Sequence, residues 1–523
     1  MVNRVRSEAY HPAAWLAGLT FLAAVLCTIG LGRPSLWIDE AHSYEFAALP
    51  SAWLVILNAA ARDAYPPLYF LFLHFWMALG TGETWLRLSS VICHLASIPL
   101  IYMAGKRLVS PVAGLIAAAL LAVSPFHAGF ATEVRMYAPM ELLSLLSVQG
   151  MLVYMEEKSG RGFWTFTLAG LALLYMHVMG ALLLVVQGAW LLSDRRMRKA
   201  FRKWALVVVV GFLPWAPLFV KAFVTTGGYG SEAPVHRLGY WFLATLGAGF
   251  AQPGWLIPIS FATVLTLAIA GYFSLRAGLL RRFLALWAFL PLLLELGANL
   301  AGKSVFGERT LIVSTPGWLI LMAQGLLALP PRRAAIGAAL AAGMAGLGWA
   351  QVLARDLPDS PAHRETLKYI VERAKPGDAI IHSSTVTYHP VHEYYLPRSG
   401  APLRDFLIEP QGEFKGGRLG NLFRETWRRI RARLDPAGAI KSGADPNRVS
   451  EEQFLGMGFK RVWYLRTTED GMRRLWYLMP SRYYSLTAEQ LATKEMAVNV
   501  KLAAKYHSGP VAIFPGLVLE LYR

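Results

Sequence analysis

The sequence predicts an α-helical polytopic membrane protein followed by a C-terminal soluble α/β or α+β domain. Three observations carry this. Long apolar runs fill the chain up to about residue 352, basic clusters recur between them, and many of the charged residues fall after that point. The whole chain of 523 residues is 55% apolar and only 16% charged, with a mean hydropathy of +0.40. Runs of ~18 or more apolar residues have the length needed to cross ~30 Å of hydrocarbon. A chain this long also exceeds the usual size of one core, so two domains are expected, 1–352 and 353–523.

Taken in order, the apolar runs are 13–31, 84–104, 111–130, 137–155, 163–179, 180–193, 204–222, 255–275, 283–301, 311–328 and 334–352. The first follows Arg4 and Arg6 but is longer than a signal-peptide core, with no small-x-small cleavage site after it, so it reads as a span. The pair 163–193 is one long run that must be split near Gly180. Segments 65–80 and 238–252 are short or aromatic and read as interfacial or re-entrant helices.

With the N-terminus in the cytoplasm, Lys106/Arg107, Lys158/Arg161, 195–203, 276–282 and Arg332/Arg333 all fall on that same side. This agrees with the positive-inside rule only if 65–80 and 238–252 do not span. The expectation is about eleven spans, with the tail outside the cytoplasm. The formal net charge of +18 is then a topological signal and not a nucleic-acid footprint. Cys27 and Cys93 both lie in apolar runs, which supports neither a disulfide framework nor a zinc cluster.

In the tail, 366–373 reads as a helix, Pro376-Gly377-Asp378 as a turn and 379–383 as a strand. A basic amphipathic helix is expected over 422–434, a strand over 462–465, a helix over 487–497 and a strand over 511–514. No GxGxxG, GxSxG or HExxH is present. His389 and His392 invite a metal reading, but without further ligands at suitable spacing a surface or structural pair is the commoner case.

Chemistry is sought in the outer loops, because ionisable groups near membrane depth are costly and usually functional. Trp37-Ile38-Asp39-Glu40-Ala41-His42 closes the first span. Its adjacent carboxylates suit general-base work or a metal, though by spacing alone an ordinary solvated loop edge is the commoner case. After Asp63 and Tyr65, Pro66-Pro67 fixes the start of a short helix carrying Tyr69, His74 and Trp76. Glu83 is placed to cap the next helix, with Arg87 one turn on.

Glu133, Arg135 and Tyr137 sit where one span returns as the next. They either brace the turn as an ion pair or hold a phosphate. His177 ends a later span. Lys303, Glu308 and Arg309 lie between two late spans, and the two cations run against the positive-inside trend, which favours anion binding.

The ordered set Trp37-Ile38-Asp39-Glu40, Tyr65-Pro66-Pro67-Leu68-Tyr69-Phe70, His74-Phe75-Trp76, Glu83-x-x-x-Arg87-x-x-Ser90, Gly105-Lys106-Arg107-Leu108, Glu133-x-Arg135-Met136-Tyr137, Tyr175-x-His177-x-x-Gly180 and Glu308-Arg309 resembles the lipid-dependent glycosyltransferases of the GT-C superfamily. Its nearest likeness is to the bacterial branch related to protein O-mannosyltransferases and lipid A aminoarabinose transferases. The resemblance covers about the first 330 residues. It implies a polyprenyl-phosphate-linked sugar donor, an envelope lipid, glycan or protein acceptor, and a multi-pass protein of the bacterial inner membrane with its site on the outer side.

It further implies Asp39 as general base or acceptor-binding carboxylate, with Glu40 its neighbour, and Arg135 and Arg309 on the lipid phosphate with Lys303 beside them. Glu133 and His177 would line the cavity. Relatives commonly carry histidine before the Pro-Pro pair; here Tyr65 stands there, which points to a different donor or acceptor. Metal dependence stays open, because no tight ligand set is legible. A transporter or flippase of lipid-linked saccharide would instead place charged, Gly/Pro-broken segments at the membrane midplane. A surface-polysaccharide polymerase or ligase fits the early acidic loop and long tail less well.

Overall fold

The computed structural model describes residues 12–62, 66–225, 235–250, 252–302, 307–353, 362–382, 384–408, 448–449, 453–454, 457, 459, 461–467, 508–514 and 517–522. Asp63, Tyr65, Lys303 and the expected helices at 422–434 and 487–497 lie outside these residues.

Each of the eleven predicted runs falls on helix. Five helices are long and apolar enough to cross a membrane: Glu83–Leu108, Tyr137–Glu157, Leu256–Ser274, Leu279–Leu300 and Pro331–Leu353. The others are shorter or broken. Pro111–Ala122 bends by 59° into Pro125–Ala131, because Pro125 has no N–H to continue the ladder. Val178–Leu192 and Arg195–Phe212 meet at 115°, and the long run after Gly160 divides at His177–Gly180 as expected. By length and composition the described residues therefore give five spans, or seven if each bent pair counts as one.

The outer surface of these helices is apolar. Phe21, Leu206, Val209, Leu213, Phe273, Leu293 and Leu300 are all more than half exposed. Such a surface is intolerable in water and ordinary against lipid tails. Where helices meet, glycine permits close approach. A Cβ on Gly271 would stand 2.0 Å from the Leu321 carbonyl oxygen, and one on Gly325 the same distance from that of Leu267. These two glycines let the Leu256–Ser274 and Thr315–Ala328 helices pack backbone to backbone.

The tail builds a six-stranded sheet: β1 (Asp378–His382), β2 (Arg404–Ile408), β3 (Arg448–Val449), β4 (Arg461–Thr467), β5 (Ser508–Phe514) and β6 (Leu517–Tyr522). Its order is β3-β2-β1-β4-β6-β5. The first four strands run parallel, while β6 pairs antiparallel with β4 and β5. Sequence periodicity finds β1, β4 and β5. It misses β3, which is only two residues long, and β2 and β6, whose charged residues mask an otherwise apolar strand pattern.

The tail docks onto the segment that follows the first helix through directed bonds. Arg364 pairs with Glu83 and donates to the carbonyls of Gly32 (3.2 Å) and Arg33 (2.7 Å). The Tyr395 hydroxyl donates to Glu83 and accepts from the Leu36 N–H at 2.6 Å. Tyr394 donates to the Thr81 carbonyl at 2.9 Å. Glu83 is thus a docking group and not the expected helix cap; Gly82 occupies the cap position.

The tail also holds buried histidines that give it a pH dependence. His363 is fully buried, and neither ring nitrogen has a hydrogen-bond partner among the described residues. Burial, with the neighbouring His382, pushes it down to about 3. Burial also lowers His382, against the pull of Asp405. The unfolded chain binds protons on these rings below the ordinary value of ~6.5 while the folded chain does not, so stability is full above that pH and falls with acidification. Each ring costs up to about 1.4 kcal/mol per pH unit below it. We expect thermal melts between pH 7 and pH 5 to show this loss, and His363→Leu to flatten it.

Candidate active site

The site is built on the helix Ile38–Ala47. Asp39 and Glu40 occupy its first turn, where the exposed N–H groups and the helix dipole favour carboxylates. Glu40 at the third position accepts from the Trp37 N–H at 3.3 Å. That bond turns the two adjacent carboxylates to different sides.

Glu40 points inward. Arg87 grips it with two bonds, Nε to Oε1 at 2.8 Å and Nη2 to Oε2 at 2.6 Å, and the Val134 N–H adds a third at 3.0 Å. The remaining Arg87 donors reach the carbonyls of Leu31, Pro34 and Ser35 at 2.9–3.3 Å. Arg87 is 3% and Glu40 1% exposed. This is a closed bidentate pair with its donors and acceptors used.

Asp39 faces the other way and is held loosely. Its Oδ2 lies 3.6 Å from Arg135 Nη2 and 3.5 Å from Arg309 Nη1, at or beyond the limit of a good hydrogen bond. The carboxylate is 15% exposed and Arg309 24%. Arg135 is fixed from behind, donating to the Asp39 carbonyl and to Ser43 Oγ, both at 3.3 Å. Arg309 donates to the Tyr137 hydroxyl at 3.4 Å. Both guanidiniums lie within 6.0 Å of the Tyr137 ring centroid, where the ring face attracts cations. Burial alone would lower Arg309, but Tyr137 and Asp39 outweigh it and keep it fully charged.

Glu133 sits beside this group. Burial, then Glu40 and Asp39, push its carboxyl up to about 8 against Arg309 and Arg135. At neutral pH it is therefore largely protonated and adds little negative charge. His177 is pushed down to about 3 by burial and by the charges of Arg135 and Arg309. Its Nδ1 accepts from the Met179 N–H at 3.2 Å, which leaves the proton of the neutral ring on Nε2. Asp39, Arg135, Arg309, Tyr137, Glu133 and His177, spread over 270 residues of sequence, thus converge on one site.

The surrounding histidines take structural places. His127 is bracketed by Ser124 and Thr315, both at 2.8 Å. His74 bonds the Ala47 carbonyl at 2.8 Å, seating the Leu68–Met77 helix on the site helix. On that short helix Trp76 stacks on Trp85 at 4.7 Å, while Tyr69 is buried in protein and not at an interface. Arg87 as the partner of Glu40 and Ser43 behind Arg135 escape sequence reasoning. No local spacing joins positions 47 and 92 residues apart.

The order and geometry of these elements find their match among solved structures. Crystal structures of ArnT from Cupriavidus metallidurans, in the apo state and bound to undecaprenyl phosphate, superpose with TM-scores of 0.63 and 0.62. Each is 13% identical and covers 97% of this chain and 98% of the other. The chain has the GT-C fold. Residues 64–220 also match the family model described as dolichyl-phosphate-mannose-protein mannosyltransferase. No curated protein sequence is significantly similar. The GT-C match to ArnT runs through the tail as well as the helices, so the sheet domain is part of the shared architecture. The matched region contains Glu133, Arg135, Tyr137 and His177, while Asp39 and Arg309 flank it.

Proposed function

We propose that this membrane protein transfers a sugar from a polyprenyl-phosphate-linked donor to an extracytoplasmic lipid, glycan or protein acceptor. The observation that carries the reading is the Asp39 carboxylate held loosely between Arg135 and Arg309. Such an arrangement suits an anion that comes and goes: a donor phosphate takes the two guanidiniums, which match its oxygens in planar fashion. Undecaprenyl phosphate is what one of the ArnT structures holds, and a lipid-borne phosphate at this membrane edge is the ligand these residues fit.

In the proposed step an acceptor hydroxyl attacks the anomeric carbon from the face opposite the phosphate. A new carbon–oxygen bond forms, Asp39 takes the hydroxyl proton, and the bond to the phosphate oxygen breaks with its electron pair. The product sugar is inverted. Polyprenyl phosphate leaves with its added charge on Arg135 and Arg309, so no acid is needed for departure. Glu40 is assigned a structural part here, since Arg87 already uses its lone pairs.

The site would lie on the outer side of a bacterial inner membrane, with residues 1–352 as the transferase module and the tail outside the cytoplasm. Incubation of the purified protein with a synthetic polyprenyl-phosphate sugar and envelope extract tests the proposal. Release of polyprenyl phosphate together with a newly glycosylated product is expected. Comparison of envelope glycolipids and glycoproteins with and without the gene, by mass spectrometry, identifies the acceptor. No difference in either measurement would sink the reading. Arg309→Ala is expected to lower kcat/KM for the donor by about 10²–10³-fold, the scale of losing one group that stabilises developing charge.

A further inference from the structure

The histidine pair of the tail does not stand alone. His389 caps, and Glu393 lies within, a wide π-helical turn at Pro390–Tyr395, a geometry that recurs at functional sites. Glu45 comes to meet them from the site helix, 344 residues away in sequence. One ligand atom from each of Glu45, His389 and Glu393 lies within 4.8 Å of the others. We propose that these three residues bind a divalent transition metal of the zinc class and tie the tail to the helix that carries Asp39.

The donor set is right for that ion. One imidazole and two carboxylates are borderline ligands, and three protein donors leave a fourth position for water. Donors at ~2.1 Å from a tetrahedral ion stand about 3.4 Å apart, so side-chain torsions close the cluster without moving the backbone.

The surroundings are those of a supported metal site. The His42 ring stacks on that of His389, with centroids 5.3 Å apart and planes at 30°, and its Nε2 lies 3.9 Å from Glu45. His392 stands 4.0 Å from Glu393 and is itself held by Asp405 at 2.9 Å. His382 approaches the same carboxylate at 3.6 Å. Burial would raise Asp405, but its bonds and charge contacts with His382 and His392 hold it well below the usual carboxylate range. It therefore stays ionised and orients His392 toward the cluster. Outer partners of this kind fix the rings of metal ligands.

The position gives the ion a consequence. Glu45 is six residues beyond Asp39 on one ten-residue helix, about 9 Å along its axis. Metal binding would lock that helix at its C-terminal half while Arg87 locks its N-terminal half. Glu45 and His389 are positioning residues in this view, acting on the reaction only through the helix.

The test uses the full chain, purified in detergent and stripped with a chelator. After addition of Zn²⁺ and gel filtration, one zinc per chain is expected by elemental analysis, with a raised melting temperature. Glu45→Gln, His389→Gln and Glu393→Gln should each bind at least about 100-fold more weakly, and His42→Gln about 10-fold, the scale of an outer partner. Elution as a single symmetrical peak shows that a variant is folded. Substitution with Co²⁺ supplies an independent readout on the unmutated chain: tetrahedral d–d bands are expected. Substoichiometric zinc in the unmutated protein, or unchanged binding in all three ligand variants, overturns the proposal. Metal content is read without donor or acceptor, so its outcome stands apart from the transfer assay.

Discussion

Asp39→Asn is expected to lower glycosyl transfer by about 10²–10⁴-fold, the contribution of a positioned general base. The substitution keeps the shape of the side chain and removes only its ability to take a proton. Its ion pairs are long, at 3.5 and 3.6 Å, and the group is partly open to solvent, so little stability depends on them. Melting and gel filtration should therefore match the parent protein while donor turnover collapses. The position of the defect is informative as well. If Asp39 acts in the chemical step, kcat falls and donor binding is kept or tightened, since the asparagine no longer competes with phosphate for Arg135 and Arg309. Full turnover in a folded Asp39→Asn protein would remove the proposed base.

Glu40→Ala, one residue further on, should do the opposite. It leaves the Arg87 guanidinium buried, 3% exposed, without its carboxylate. Breaking one side of such a pair costs about 3–5 kcal/mol, because an uncompensated charge remains inside. The loss also frees the Trp37 and Val134 N–H groups, both held by Glu40. A lowered melting temperature in detergent and poor recovery from membranes are the expected results. An unchanged melt would mean that water reaches Arg87 and that the pair is not closed. The two neighbouring carboxylates thus separate cleanly: one substitution stops turnover in a stable protein, the other destabilises the protein itself.

That separation explains how much was legible in the sequence. The helical bundle was readable because apolar runs and basic clusters are local signals, and each run does fall on helix. The broken spans were not, since a bend such as that at Pro125 depends on how helices pack around it. Strands β1 and β4 were visible as short apolar runs. β2 (Arg-Asp-Phe-Leu-Ile) begins with charges that only the docked tail explains, Asp405 serving the histidines beside it.

At the site, the family resemblance of the ordered motifs singles out Asp39, Arg135 and Arg309 as candidates. What chemistry could not supply was direction. By residue chemistry Asp39 and Glu40 are alike, and the capping bond to Trp37 with the arrival of Arg87 from the next helix decides which one faces the cavity. The same limit hid Glu45, whose partners lie in another domain and share no spacing with it.

The bonds by which Arg364, Tyr394 and Tyr395 fasten the tail to the first loop bear on how such proteins diversify. Leu36 and Glu83, which receive them, belong to the bundle and sit at the two ends of the loop that presents Asp39. A foreign tail grafted after the last helix would have to bring its own hydroxyl and guanidinium to those two places. Tails can therefore be exchanged between relatives only along a seam that keeps this socket intact, and the useful boundary for a chimera lies beyond Arg398, after the docking segment, and not at the end of the last apolar helix.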